Sequence, residues 1–145
     1  MSQVEDFLTK EEEQAVVEAI RMAEKETSGE IRVHIEKTTS KVPFDRALEV
    51  FNELGMDATE LKNGVLIYLA VEDHKFVICG DKGINELVPE DFWDCTKEIM
   101  ATQFKTKNFK QGLIDGIIKA GEQLKKYFPY QEGDANELSN EISKG

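Results

Sequence analysis

Cysteine and proline are scarce in this chain of 145 residues, which holds two of the first and three of the second. Cys79 and Cys95 match no metal-ligand or redox spacing, which leaves Cys79 as a small apolar side chain and fits a reducing compartment. Positive charge is also short. Eighteen Lys and Arg against 29 Asp and Glu leave a net charge of −11, the wrong sign for a phosphate backbone or an anionic membrane surface. Long hydrophobic runs are missing: the longest, residues 65–71, falls far below the roughly 20 residues that span a bilayer. The N-terminal residues Met1-Ser2-Gln3-Val4-Glu5-Asp6 are acidic and carry no apolar core of signal-peptide length. The expectation is a cytoplasmic protein that binds no nucleic acid and does not insert directly into a membrane. Absent too are a Walker-type loop, a dinucleotide fingerprint and a nucleophile elbow, and neither His34 nor His74 has a second ligand at metal spacing.

What remains is 40% hydrophobic and 32% charged, the composition of one soluble globular domain, which we expect as a monomer. Thr9 followed by Glu12 has capping-box spacing, so a first helix starts there. Val16, Ile20 and Ala23 recur on its apolar face, and Glu13, Glu18 and Glu24 fall on the water face. Residues 30–36 alternate, with Ile31, Val33 and Ile35 on one side and Arg32 and His34 on the other. This predicts a strand buried on one face, or an edge strand. In it His34 either faces out or packs under a helix. Pro43 opens a second helix whose stripe is Phe44, Ala47, Leu48, Phe51 and Leu54. The continuous run 64–71 reads as a central strand covered on both faces, and the polar link Glu72-Asp73-His74 turns it into a hairpin with residues 75–79. Pro89 begins a third helix carrying Phe92 and Trp93, and a fourth covers residues 109–128. The order α-β-α-β-β-α-α predicts a three-layer α/β/α sandwich around a small mixed sheet. Its first two strands are parallel through a helical crossover, and its second and third are antiparallel. The domain covers residues 5–129; residues 130–145 form a polar, acidic tail that we expect to be disordered.

Strand direction sorts the turns. Ligands of open α/β sheets usually bind outside the carboxyl ends of the strands, where Thr38 to Ser40 and Glu72 to His74 lie. The exit of the third strand, Gly80-Asp81-Lys82-Gly83, must instead lie beside the entrances of the first two, Thr27-Ser28-Gly29-Glu30 and Lys62-Asn63-Gly64. Three polar turns with glycines converge there, and this rim is the preferred site, with Gly29, Asn63, Gly64, Gly80, Lys82 and Gly83 as its binding residues. Asp81, Glu86, Glu90, Asp91 and Asp94 follow closely, and hard cations such as Ca²⁺ or Mg²⁺ favour carboxylate oxygens. Asp81, Glu86 and Asp91 are the candidate metal ligands, although Glu90 and Asp91 equally suit the positive end of a helix. Elsewhere, Phe104-Lys105-Thr106-Lys107-Asn108-Phe109-Lys110 gathers three lysines on an acidic chain. They suit either an anion contact at a helix start or the dipole of the preceding helix, with the phenylalanines anchoring the junction.

Taken in order, Phe7-Leu8-Thr9, Ser28-Gly29-Glu30-Ile31-Arg32-Val33, Asn63-Gly64-Val65-Leu66-Ile67-Tyr68, Val77-Ile78-Cys79-Gly80-Asp81-Lys82-Gly83-Ile84, Trp93 and Phe109-Lys110-Gln111-Gly112-Leu113 resemble the TPM domain family. That family is named for thylakoid-lumen, photosystem-repair and acetylcholine-receptor-associated founding members. The resemblance spans residues 5–129. It implies a compact α/β sandwich, an acid-phosphatase activity and divalent-cation binding, and a protein partner such as a membrane complex or repair machinery. By position Asp81 matches the turn where the family tends to place a ligand. Relatives commonly show glycine, any residue, glycine in that turn, and Gly80-Asp81-Lys82-Gly83 carries one residue more. Two functions follow. One is a ligand- or partner-binding module that docks through the rim. The other is a weak metal-assisted phosphomonoester hydrolase, with Ca²⁺ or Mg²⁺ on the acidic edge and Lys82 or Lys105 meeting the phosphate.

Overall fold

The computed structural model describes residues 7–59, 61–130 and 142–144. Helix α1, Lys10–Glu24, begins at the expected capping box. Glu12 N donates to Thr9 Oγ1 at 3.1 Å and Thr9 N to Glu12 Oε1 at 2.9 Å, with Glu11, Glu12 and Glu13 complementing the helix dipole. Strand β1, Glu30–Glu36, helix α2, Pro43–Glu53, and a 3₁₀ turn, Met56–Ala58, lead to strand β2, Gly64–Ala70, and strand β3, Lys75–Gly80. A short helix α3, Lys82–Asn85, then helices α4, Asp94–Lys105, and α5, Phe109–Lys125, and finally strand β4, Ser143–Lys144, complete the described chain.

The sheet order is β3-β2-β1-β4, with β1 parallel to β2 and β2 antiparallel to β3, as the pattern of turns requires. All seven residues of β2 are buried. Val65, Ile67 and Leu69 face a large apolar cluster built with α1, α4 and α5. Leu66, Tyr68 and Ala70 face a smaller one with Ala47, Val50 and Phe51 of α2 and Met56. The result is a mixed α/β sandwich with one small four-stranded sheet. No helix among the described residues is long and apolar enough to cross a membrane.

Several local expectations are corrected. β1 is covered on both faces, because α2 lies over the side that carries His34 and Glu36, and both residues are buried. Glu24 turns inward instead of facing water, its Oε2 accepting from Ile31 N at 3.0 Å. The third long helix starts at Asp94 rather than Pro89. Residues 89–93 form turns that set the Phe92 and Trp93 rings edge to face, 4.6 Å apart, in the core. The fourth stops at Lys125, and the Phe128 carbonyl instead accepts from Ser28 N at 2.9 Å. Of the tail expected to be disordered, residues 131–141 and 145 lie outside the described residues. Ser143 and Lys144 pair in parallel with His34 and Ile35 of β1.

Candidate functional site

The three turns of the rim do meet. Glu30 pairs with Gly64 and Val65 with Gly80, so the entrances of β1 and β2 and the exit of β3 lie side by side. Asn63 joins the first two. Its Nδ2 donates to Ser28 O at 3.2 Å and its carbonyl accepts from Glu30 N at 3.2 Å. Its own N–H donates to Thr59 Oγ1 at 3.2 Å, so the buried Thr59 hydroxyl also has a partner. Gly29 donates to Thr27 Oγ1 at 3.1 Å and leaves space for Leu124, whose Cδ1 would lie 3.0 Å from any added Cβ.

Backbone bonds carry the third turn in. Asp81 N donates to Gly64 O at 2.9 Å and Gly83 N to Lys62 O at 2.8 Å. A Cβ on Gly83 would sit 2.2 Å from the Leu61 carbonyl oxygen and 2.6 Å from that of Lys62, so only glycine admits this approach. Gly80 O accepts from Asn85 Nδ2 at 3.0 Å, and the Lys82 side chain is exposed. Asp81 Oδ1 accepts from Lys82 N at 2.7 Å, while Oδ2 is buried with no hydrogen-bond partner. A buried acceptor left in this state costs free energy unless a water, an ion or a ligand completes it.

Glu86 and Asp91 are exposed, and among the described residues no three His, Cys, Asp or Glu side chains are grouped so as to hold a metal ion. Asp81, Glu86 and Asp91 are therefore not drawn into one ligand set. A Ca²⁺ cage of about six to eight protein oxygens does not fit this rim. The reading from sequence missed Glu24, which ends α1 beside the buried Glu30 at the entrance of β1. Burial pushes its carboxyl up to about 8, the bond from Ile31 N opposes the rise, and the charge of Glu30 adds to it. At neutral pH this carboxyl is mostly protonated.

A second polar cluster, also missed, occupies the far end of β1 under α2. Glu36 accepts from Arg46 Nε and Nη2, both at 3.0 Å, and from the Tyr68 hydroxyl, and its Oε1 lies 3.1 Å from His34 Nε2. The other His34 nitrogen, Nδ1, is 2.9 Å from Ser143 Oγ of β4. Burial alone would raise the Glu36 carboxyl, yet the bonds from Arg46, Tyr68 and His34 outweigh it and hold the group at about 2. Burial lowers His34 and raises Tyr68, so the imidazole and the phenol both favour their neutral forms. Every polar group here has a partner inside the cluster, which marks it as a structural network rather than an open site.

The comparisons agree with this fold. The chain is similar to the BA42 protein of the psychrophilic bacterium Bizionia argentinensis, whose NMR structure shares 63% identity over 100% of both chains with a TM-score of 0.93. It also matches the N-terminal domain of a P. gingivalis protein at 17% identity, covering 87% of this chain and 83% of that one, with a TM-score of 0.69. The N-terminal domain of the cg2496 protein from Corynebacterium glutamicum matches at 11% identity, covering 95% and 80%, with a TM-score of 0.64. These last two share the fold alone. No curated protein matches. The model of the TPM domain matches residues 1–123, and the chain belongs to the TPM domain family.

Proposed function

We propose that this domain is a binding module whose glycine-rich rim docks a ligand or partner protein, with Asp81 receiving a cationic group there. The observation that carries this reading is the buried, unpartnered Oδ2 of Asp81 at the point where three backbone turns are pinned together. A site held by main-chain bonds is already ordered, so a visiting group meets little reorganisation cost. The cationic group is either a divalent ion, Ca²⁺ or Mg²⁺, with its shell completed by water and the partner, or an ammonium of the partner. Among the described residues of the rim no nucleophile–base pair comes together, which favours binding over catalysis. The alternative of a metal-assisted phosphomonoester hydrolase rests on the family likeness.

Titration of the ¹⁵N-labelled protein with MgCl₂ and with CaCl₂ tests the reading. The expected result is saturable shifts confined to residues 28–30, 62–64 and 80–83 at millimolar metal, lost in Asp81→Asn. Shifts spread evenly over the acidic surface, or unchanged in Asp81→Asn, would reject Asp81 as the receiving group. Hydrolysis of 4-nitrophenyl phosphate in the presence of Mg²⁺, abolished by Asp81→Asn, would replace the binding reading with the hydrolase.

A further inference from the structure

A cleft of about 410 Å³ opens at the other end of β2 from the rim, between the β2–β3 hairpin and the junction of α4 and α5. Its volume lies within the range of small-molecule sites, on the order of 300 to 1,000 Å³. The walls are apolar: Leu69, Val71, Phe76, Phe104 and Phe109. Phe104 is held in place, edge-on to Phe76 with ring centroids 5.1 Å apart and tilted against Phe109 at 5.7 Å. Gly112 lies so close behind it that an added Cβ would stand 2.5 Å from Phe104 Cε1.

The mouth is cationic. Lys105 and Lys107 line it together with His74, on a chain whose net charge is −11. Neither lysine forms an ion pair among the described residues, whereas Lys41, Arg46, Lys125 and Lys144 all do. The carboxylates at this end are engaged elsewhere: Glu12, in the adjoining groove with Lys107 and Lys110, in the capping box of α1, Asp73 of the hairpin by Thr38 Oγ1 and Thr39 N, and Glu72 by Lys37. Lys105 also complements the α4 dipole, but Lys107 lies beyond that helix. It adopts a left-handed φ of 64°, and His74 one of 52°; these are two of three such non-glycine residues described, and both line this cleft. Non-glycine residues in that region carry backbone strain, which clusters at ligand sites. The 17-residue α5 starts beside the cleft, at Phe109, with no side chain capping it, so its first amides are unclaimed by Asn108.

We propose that this cleft binds a small amphiphilic anion, an aliphatic chain or aromatic ring ending in a carboxylate or phosphate. The apolar body lies along Phe76, Phe104 and Phe109, and the acidic head meets Lys105, Lys107 and the start of α5. The site is separate from the rim: β2 alone, seven residues long, sets them roughly 20 Å apart. Either can fail without the other.

Calorimetric and NMR titrations with sodium octanoate, octyl phosphate, 1-octanol and sodium acetate test this. The expected result is saturable binding of octanoate or octyl phosphate, with shifts centred on residues 69–76 and 101–110. Octanol should bind at least tenfold more weakly, and acetate not detectably. The relative affinities of the two charged ligands identify which head group is preferred. Lys105→Ala with Lys107→Ala, both at exposed positions, should weaken octanoate about tenfold and leave octanol unchanged. Ala101→Trp, which fills the cleft, should remove binding of both. Equal binding of octanol and octanoate, no effect of the lysine pair, or shifts centred on the Met22–Ile118 groove would overturn the proposal.

Discussion

The guanidinium of Arg46 meets both carboxylate oxygens of Glu36, with Nε and Nη2 each 3.0 Å from one of them. Such a two-pronged bond between helix and strand fixes α2 over the sheet as well as neutralising a buried charge. Removing the cation strands that charge. Arg46→Ala is expected to cost about 3 kcal/mol at pH 7, measured as the shift in urea-unfolding free energy. Pairing it with Glu36→Gln should recover part of the loss.

The same pair sets the acid limit of the fold. The Glu36 carboxyl sits at about 2 against an ordinary 4.5, so the stability it contributes is complete above pH 4.5 and lost as pH falls towards 2. His34, lowered by burial, adds a loss of the same sign when it is forced to take a proton. Urea midpoints taken from pH 7 to pH 2 should therefore fall steeply for the natural chain and less steeply for Arg46→Ala.

Glu24 works in the opposite direction. With its carboxyl raised from 4.5 to about 8, its contribution is complete below pH 4.5 and lost as pH rises through 8. Glu24→Gln keeps an acceptor for Ile31 N and removes the titration. Thermal unfolding should show the two proteins equal near pH 4. By pH 9 the variant should be ahead by about 2 kcal/mol, less than the full linkage value because the carboxyl keeps some solvent contact.

Gly83 tolerates no side chain. Its missing Cβ faces two carbonyl oxygens of the neighbouring turn, and main chain cannot swing aside as a flexible side chain can. Gly83→Ala is expected to cost about 3 kcal/mol in chemical unfolding and to shift the amide signals of residues 61–64.

Two helix glycines separate propensity from packing. Alanine in α5 gains about 1 kcal/mol over glycine in helix propensity. At Gly112 the new methyl would meet the Phe104 ring, and overpacking costs about 1–3 kcal/mol, so Gly112→Ala should be net destabilising. At Gly116 the obstacle is the Met100 thioether, 2.5 Å away, which can change rotamer. Differential scanning calorimetry should show the smaller loss there.

Features written in local pattern were readable in advance. The capping box at Thr9, the apolar run of β2, and the hairpin through Glu72-Asp73-His74 follow from spacing alone. From strand direction followed the meeting of Gly29, Asn63 and Gly83 at one rim. The Glu36 network was hidden, because alternating polar residues on β1 look like a wet face until a helix supplies Arg46 to cover them. Ser143–Lys144 carries no hydrophobic pattern, so only the register with His34 and Ile35 reveals a strand. Glu24 sits on the charged side of α1 by helical spacing, and the tight turn into β1 brings its carboxyl to Ile31 N. The cleft needed coordinates, since its walls come from the hairpin and from a helix junction distant in the chain.

Leu66 and Ile67 share a peptide bond, yet the pleat of β2 sends them into different apolar clusters. The sheet thereby divides the interior into two compartments that do not exchange packing. Truncations on opposite sides should sum in free energy, while truncations within one side should couple. Repacking of the α2 compartment can thus proceed without compensating change beneath the three long helices.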